Sequence, residues 1–362
     1  MRIFNKIHQK LNWSKRRYLG LIFGVLALGY LSSAIYQSYK PMPEGLNYSG
    51  PMHHAKVKFI ADETYLDAQG KQQLDQHIFD EILQLIKQAK TTIVVDMFLF
   101  NSEVGDSKVQ QRALAHQLTE ALINQKVVNP GLEIKLITDP INSVYGGIIP
   151  DQYSKLRLGG IEVIETNLLP LRASNPVWSG LWYLCCQDAG NNPEKGWLSN
   201  PFGEGKVTLR SYLNLFNFKA NHRKTIVVDT DQGWKTIVTS ANPHDGSSRH
   251  SNVALMVDGP IAADMLKSEQ AVAMMSGGNT PMVILGKYEE NRADPQVQVL
   301  TEQAIFDAVV TMLQSAKAND QIDLAMFYLS ERNIIKELIA AKERGATVRV
   351  LLDPNKDAFG RQ

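Results

Sequence analysis

Asn221-His222-Arg223-Lys224-Thr225-Ile226-Val227-Val228-Asp229 is the first of two β-branched segments that are separated by a short polar turn. The second is Lys235-Thr236-Ile237-Val238-Thr239-Ser240-Ala241-Asn242, and the turn at 230–233 ends in a glycine. β-branched residues favour strands, and a polar turn that contains glycine favours a hairpin between them. The two segments therefore predict a hairpin of two buried strands.

The hairpin carries side chains that suit phosphodiester chemistry. Because alternate residues of a strand share a face, His222 and Lys224 should lie side by side. An imidazole beside a fixed ammonium can act as a nucleophile or base on a phosphodiester. Asp229 comes five residues after Lys224, on the other face of a regular strand, and is expected to brace the hairpin. Ser240 and Asn242 can add a hydroxyl and an amide to the same pocket.

These residues follow a known signature. His222-x-Lys224-x4-Asp229, followed by Ser240-x-Asn242 and later by His250-Ser251-Asn252, resembles the HKD motif of the phospholipase D superfamily. The resemblance covers roughly residues 56–362 and implies an α/β fold of the α-β-α sandwich type. In that fold a mixed β-sheet is flanked by helices, and the whole unit is duplicated.

The resemblance also implies a mechanism without metal or cofactor. His222 would attack phosphorus to form a phosphohistidine, Lys224 and Asn242 would hold the non-bridging oxygens, and Ser240 would help to fix the phosphate. Asp229, the third member of the motif, would be structural. In one place the sequence departs from the superfamily: many members carry an acidic residue, which orients the histidine, where this chain has Ala254. The partner of His222 is therefore unassigned.

The N-terminal region predicts a membrane anchor. Residues 18–36 form a run of nineteen residues without a charge, long enough to cross a bilayer as a helix. Cationic residues in 1–17 favour a cytoplasmic N-terminus, which would place the body on the periplasmic side of a bacterial inner membrane. A signal peptide cleaved near Ser32-Ser33-Ala34 and a buried soluble helix are the alternatives.

The remaining chain predicts two related domains. We expect a linker at 37–55, a first phospholipase D-like domain at 56–290 and the start of a second at 291–362. Helices and strands alternate from Leu74 onward, with a helix through Leu85, a strand at 92–100, a helix at 110–125 and a strand at 133–138. Four short segments recur in the same order and nearly the same spacing, which indicates an internal duplication. They are Ile78-Phe79-Asp80 and Ile305-Phe306-Asp307, Ala89-Lys90 and Ala316-Lys317, Met97-Phe98 and Met326-Phe327, and 136–140 and 350–354.

The duplication predicts a second HKD motif that residues 1–362 do not contain. In the superfamily, one histidine attacks phosphorus and the other protonates the leaving group. The chain is thus expected to be the first part of a longer protein; alternatively, two copies of the single motif meet in a homodimer.

Composition separates the candidate functions. With 38 Lys and Arg against 37 Asp and Glu, the net charge of +1 does not favour binding to nucleic acid. Residues 167–184 are rich in Leu, Trp and Tyr, which suits a membrane interface or an acyl-chain channel; the alternative is that these residues are part of the core. We therefore expect a cardiolipin synthase-like enzyme that acts on a glycerophospholipid. A nuclease of the same superfamily and an inactive membrane-anchored scaffold are the alternatives. Cys185 and Cys186 are adjacent and are expected to remain unbridged.

Overall fold

The computed structural model describes residues 14–105, 108–280, 288 and 290–353. Most of the predicted basic segment 1–17, and the Pro354 end of the last repeat, lie outside the described residues. The chain divides into one unit of Met1–Glu44 with Met52–Val297 and another of Gly45–Pro51 with Gln298–Gln362. The domain limits expected from the sequence stay predictions.

The first unit combines helices with one large sheet. Its helices are α1 (Lys15–Tyr39), α2 (Ile78–Lys87), α3 (Leu114–Val128), α4 (Asp151–Leu158), α5 (Pro176–Cys185), α6 (Leu209–Leu215) and α7 (Ile261–Met275). Its strands are β1 (His53–His54), β2 (Val57–Leu66), β3 (Gln72–Asp75), β4 (Thr92–Met97), β5 (Glu133–Thr138), β6 (Glu162–Glu165), β7 (Leu198–Ser199), β8 (Lys206–Val207), β9 (Lys224–Thr230), β10 (Gly233–Thr239), β11 (Asn252–Asp258) and β12 (Gln296–Val297).

The large sheet is mixed, as predicted. Its eight strands run in the order β3-β2-β11-β10-β9-β4-β5-β6. The pairs β4/β5 and β5/β6 are parallel, whereas the pairs from β3 to β4 are antiparallel. Parallel neighbours need a crossover, and α3 supplies it between β4 and β5. The α/β class is confirmed.

The predicted hairpin is β9 and β10. Ile226 lies opposite Ile237, and Val228 lies opposite Lys235. The apolar residues of β9 are fully buried because β9 is an interior strand with neighbours on both sides. The motif at the start of β9 is therefore fixed to the centre of the sheet.

Helix α2 has the buried apolar face that the helical spacing predicts, but it begins later than predicted. Ile78, Ile82, Leu85 and Ile86 recur on one face of the helix, and all four are buried. Leu74, which shares that spacing, does not belong to the helix. It lies in β3, opposite Thr64 of β2, because the helix begins only at Ile78.

The bounds of one strand and one helix, and the state of the two cysteines, also differ from the prediction. The strand expected at 92–100 ends at Met97, and the helix expected at 110–125 is Leu114–Val128. The cysteines were predicted wrongly, since the structure joins Cys185 and Cys186 in a disulfide at the end of α5.

The second unit repeats the parallel strand pair of the first. It contains α8 (Gln303–Ser315), β13 (Gln321–Met326), α9 (Arg332–Glu343) and β14 (Thr347–Leu352). β13 pairs with β14 in parallel across α9, just as β4 pairs with β5 across α3. Met97 and Met326 both end the first strand of the pair, which agrees with the duplication. Within this unit, Leu46 is buried and the Tyr48 amide donates to Thr301 Oγ1 at 2.8 Å.

His53 fastens the N-terminal side of the first unit to α7. Its Nε2 lies 2.7 Å from Asp264 Oδ2, and its Nδ1 lies 3.0 Å from Glu290 Oε1. Lys267 also faces Asp264, at 3.4 Å. Burial alone would lower the pKa of His53, but the hydrogen bonds and charges of Glu290 and Asp264 outweigh it and raise that pKa.

We predict that His53→Gln lowers the free energy of unfolding by about 1 kcal/mol at about pH 5.5, because solvent partly screens this charged contact. A raised histidine pKa stabilises the fold fully below the unfolded value of about 6.5, and this contribution is lost as pH rises through the folded value. The difference from wild type should thus shrink by about pH 9. Urea unfolding of the full chain in detergent at both pH values measures it.

His116→Gln serves as the control, because the His116 side chain is 61% exposed and lies 4.0 Å from Glu120. It should leave stability unchanged at both pH values. A loss for His53→Gln that is equal at the two pH values would contradict the ionic contribution.

Candidate functional site

His222 and Lys224 lie at the beginning of β9, beside the end of β4. Lys224 is opposite Met97 in the sheet, and the Phe98 amide donates to the Arg223 carbonyl at 3.1 Å. The stretch that leaves β4 therefore forms one wall of the site. The His222 side chain is exposed, whereas Lys224 is only 6% exposed.

The two motif side chains are in contact. Lys224 Nζ lies 3.3 Å from His222 Nδ1 and donates to the His222 carbonyl at 3.0 Å. The Phe98 ring packs against the imidazole with 4.5 Å between centroids, and Lys224 Nζ lies 5.1 Å from the centre of the same ring. The Phe98 ring thereby helps to hold both side chains in position.

Burial and charge set the protonation of this pair. Desolvation, and then the nearby Lys224 ammonium, lower the pKa of His222 to about 4. Desolvation also lowers the pKa of Lys224 to about 8, and the carboxyl groups of Asp96 and Asp139 partly offset it. At neutral pH the site therefore contains a neutral imidazole and a mostly charged ammonium.

Two buried carboxyl groups hold the residue before His222. Asp139 Oδ2 accepts a hydrogen bond from the Asn221 amide at 2.6 Å. The Asn221 side chain donates to both carboxyl oxygens of Asp96, at 2.9 and 2.8 Å. Asp96 belongs to β4 and Asp139 follows β5. Side chains at the ends of two parallel strands therefore form hydrogen bonds with the residue that precedes the motif.

Both carboxyl groups are perturbed by their surroundings. Desolvation raises the pKa of Asp139 to about 7, although hydrogen bonds from the Ile141 and Asn221 amides oppose the rise. Desolvation, followed by the neighbouring Glu269, raises the pKa of Asp96. Asp96 and Asn221 are site residues that the sequence pattern did not predict. The available signal was an acidic residue inside the otherwise apolar strand 92–97.

Helix α7 fastens the other residues of the motif. Arg223 Nη1 donates to Ser268 Oγ at 2.6 Å and lies 3.6 Å from Glu269 Oε2. Thr225 Oγ1 donates to Glu269 Oε1 at 2.8 Å. Arg223 is thus directed to the helix while its neighbours at 222 and 224 face the site.

Asp229 lies at the other end of β9, away from His222. Its carboxylate accepts from the amides of Thr91 and Thr92, at 2.9 and 2.8 Å, and from Thr91 Oγ1 at 2.6 Å. These bonds join the hairpin to the start of β4. The geometry is that of a brace.

The side chains of Ser240 and Asn242 form hydrogen bonds with neighbouring residues of the protein. Ser240 Oγ donates to Asn252 Oδ1 at 2.8 Å and accepts from the Val253 amide at 3.1 Å. Asn242 Oδ1 accepts from the Leu99 amide at 3.1 Å. Asn242 also lines a small polar cavity whose lining does not include His222 or Lys224. A role for Ser240 or Asn242 in holding phosphate stays a prediction.

Ala254 is 2% exposed and belongs to the apolar core, so this position offers no acid to His222. The group that lies beside His222 Nδ1 in the structure is Lys224 Nζ. Among the residues that the structure describes, no group of three or more His, Cys, Asp or Glu is arranged to hold a metal ion.

A family model matches the C-terminal part of the chain. The family model described as "Cardiolipin synthase, PLD-like domain" matches residues 309–362. This match confirms the resemblance to the phospholipase D superfamily, and it falls in the second unit rather than at the motif. No curated protein matches the chain.

Solved structures with a similar course of the chain are distant. Phosphatidylserine synthase of Haemophilus influenzae is 10% identical, with a TM-score of 0.47, over 84% of this chain and 63% of that one. The phospholipase D family member Nuc of Salmonella typhimurium is 13% identical, with a TM-score of 0.33, over 60% of this chain and 93% of that one. NucT of Helicobacter pylori is 11% identical, with a TM-score of 0.31, over 62% of this chain and 99% of that one.

We predict that Asp229→Ala lowers the free energy of unfolding by about 2 kcal/mol, because three donors on Thr91 and Thr92 lose a charged acceptor. Urea unfolding of the full chain measures it. Asp231→Ala is the matched control, since Asp231 is 79% exposed and only pairs with Lys90 at the surface. It should change stability by less than about 0.5 kcal/mol. Equal losses for the two variants would contradict the bracing role.

The protonation of His222 is tested by its reaction with diethyl pyrocarbonate, which modifies the neutral imidazole. Peptide mapping across a pH series should give a pKa of about 4 for His222. Lys224→Met should raise this pKa but leave it below the usual value of about 6.5, because burial remains.

Lys235→Met is the control for this titration, because Lys235 lies on the same hairpin but pairs with Asp258 at 2.9 Å. It should leave the pKa of His222 unchanged. A wild-type pKa near the usual histidine value of about 6.5 would contradict the lowered pKa of His222.

Proposed function

We propose that the chain is a membrane-anchored phospholipase D-like enzyme that transfers or hydrolyses the phosphatidyl group of a glycerophospholipid through a phosphohistidine. The observation that carries the proposal is the contact between the exposed His222 imidazole and Lys224 Nζ, at 3.3 Å. A neutral imidazole has a lone pair for attack on phosphorus, and a fixed cation stabilises the charge that develops on the phosphoryl oxygens.

Without substrate, the His222 imidazole is hydrogen-bonded to Lys224 and is not yet activated as a nucleophile. An ammonium only donates, so Nδ1 accepts from Lys224 and the ring proton resides on Nε2. A phosphodiester anion offers Lys224 a stronger acceptor than Nδ1 does. When Lys224 turns to the phosphate, the Nδ1 lone pair is released, so substrate binding and activation of the nucleophile are linked.

The reaction then proceeds in two displacements. A His222 nitrogen forms a bond to phosphorus, and the bond from phosphorus to the leaving alcohol oxygen breaks. The leaving oxygen takes a proton from a general acid, which we assign to the histidine of a second motif, in a homodimer or elsewhere in a longer protein. Water or a lipid alcohol then attacks phosphorus and returns a proton to the second histidine, and the bond from phosphorus to His222 breaks, giving phosphatidic acid or cardiolipin when phosphatidylglycerol is the donor.

The membrane part of the proposal rests on α1. It is a helix of 25 residues that is long and apolar enough to cross a membrane. Lys15, Arg16 and Arg17 at its beginning support a cytoplasmic N-terminus and a body on the periplasmic face of the inner membrane.

The test is turnover of labelled phosphatidylglycerol by the full chain in phospholipid vesicles. Wild type should release glycerol and form cardiolipin or phosphatidic acid. His222→Ala should lower the rate on the order of 10³-fold or more, because the nucleophile is lost. The control His116→Ala changes an exposed residue of α3 and should keep the wild-type rate.

The two alternatives give different results in the same experiment. Turnover of DNA but not of lipid, again lost with His222→Ala, would replace the proposal by a nuclease. Turnover of neither substrate by a preparation in which the chain is dimeric would replace it by the inactive scaffold. The oligomeric mass of the active species distinguishes a homodimer from a monomer.

A further inference from the structure

Helix α5 has one face buried in the protein and one apolar face exposed. Ser179, Gly180 and Trp182 are buried. Val177, Leu181 and Leu184, which recur at helical spacing, are 72%, 45% and 58% exposed. The helix contains no charged residue. An exposed apolar stripe on a helix without charges calls for an apolar partner.

The buried face of α5 packs against the second half of α1. A Cβ on Gly180 would lie 2.8 Å from Ala34 Cβ, so only glycine allows the two helices to approach this closely. Tyr30 Oη donates to the Val177 carbonyl at 2.9 Å. Lys40 Nζ, just beyond α1, lies 5.1 Å from the centre of the Tyr183 ring. The two helices thus run side by side in the same direction, from Tyr30 to Lys40.

This contact fixes the depth of α5 relative to any bilayer that α1 crosses. Tyr18 to Tyr36 span about 28 Å as a helix, close to the thickness of a hydrocarbon core. Tyr30 lies six residues before Tyr36, about 9 Å deeper. Because Val177 is level with Tyr30, a bilayer around α1 also reaches the first turns of α5. Helices that lie in a membrane interface are buried to a similar depth of roughly 5–10 Å.

Two polar side chains around the start of α5 have partners within the protein. Trp178 Nε1 donates to the Leu213 carbonyl at 2.8 Å, and Asn175 Nδ2 donates to the Phe216 carbonyl at 2.9 Å. The Phe216 ring, on a residue that is 48% exposed, packs edge-on against Trp178 at 5.6 Å and continues the apolar surface. Satisfied polar groups remove the main cost of entering lipid.

We propose that the exposed face of α5, together with Phe216, inserts among the acyl chains of the phospholipid leaflet from which α1 emerges. The bilayer is favoured over a protein partner because the face is continuous with the apolar surface of α1. Leu26, Leu31 and Ile35 of that helix are 65%, 54% and 60% exposed. The inference rests on the membrane anchoring proposed above, but not on turnover.

The test is photo-crosslinking of the full wild-type chain in vesicles of phosphatidylethanolamine and phosphatidylglycerol. The probe is a phosphatidylglycerol with a diazirine on its acyl chain, and peptide mapping locates the adducts. We expect adducts on α1 and on Val177, Leu181, Leu184 or Phe216. Helix α4 is the internal control, since Leu158 is 88% exposed and apolar but lies on a different part of the unit. It should carry no adduct.

A variant makes the test sharper. Leu181→Asp should lower adduct formation on α5 at least about tenfold, because a carboxylate is costly among acyl chains, and should leave the adducts on α1 unchanged. His222→Ala should crosslink as wild type does, so loss of turnover and loss of insertion are distinguishable. Adducts confined to α1, or equal on α4 and α5, would overturn the proposal. A face of α5 that is covered by a second copy would give the first of these results.

Discussion

The Asn221 amide donates a 2.6 Å hydrogen bond to Asp139, and the position of the motif depends on that bond. Asp139 and Asp96 come from the ends of adjacent parallel strands, and both carboxyl groups are buried. Burying a carboxyl group is costly unless hydrogen bonds compensate for the lost water. Asn221 supplies those bonds through its amide and its side chain. The protein therefore stabilises the buried acids and places the residue before His222 with the same contacts.

The same acids determine what Lys224 can do. A lysine buried in an apolar site tends to lose its proton, and desolvation indeed lowers the pKa of Lys224. The carboxyl groups of Asp96 and Asp139 partly offset this fall, and the Lys224 ammonium donates to the His222 carbonyl. His222 receives no such compensation and stays neutral. The difference between the two side chains thus comes from where the acids lie, not from the motif alone.

The sequence predicted the part of the molecule that depends on local pattern. The hairpin, the strand at 133–138 and the buried face of α2 follow from β-branched runs and helical spacing, which neighbouring residues alone create. The contacts of Asn221 could not be predicted in this way, because they join residues 82 and 125 positions apart. The contacts of Ser240 could not be predicted for the same reason. Its hydroxyl is hydrogen-bonded to β11, and this contact depends on the register of β10 and β11. Leu74 fits a helical spacing but lies in β3, since the pairing with β2 outweighs a single matching residue.

The end of α1 and the segment before the motif meet on one aromatic ring. Lys40 Nζ and Lys219 Nζ lie 5.1 and 5.0 Å from the centre of the Tyr183 ring, and Lys219 also donates to Tyr183 Oη at 2.8 Å and to the Leu171 carbonyl at 2.6 Å. Burial, and then the charge of Lys40, lower the pKa of Lys219 to about 7.

Burial and the charge of Lys40 favour the neutral form of Lys219, whereas carbonyl groups and the ring face stabilise its charged form. Lys219 precedes His222 by only three residues. A change in the orientation of α1 would therefore move Tyr183 and the chain that leads into the motif. The end of α1 is thus part of the framework that positions His222.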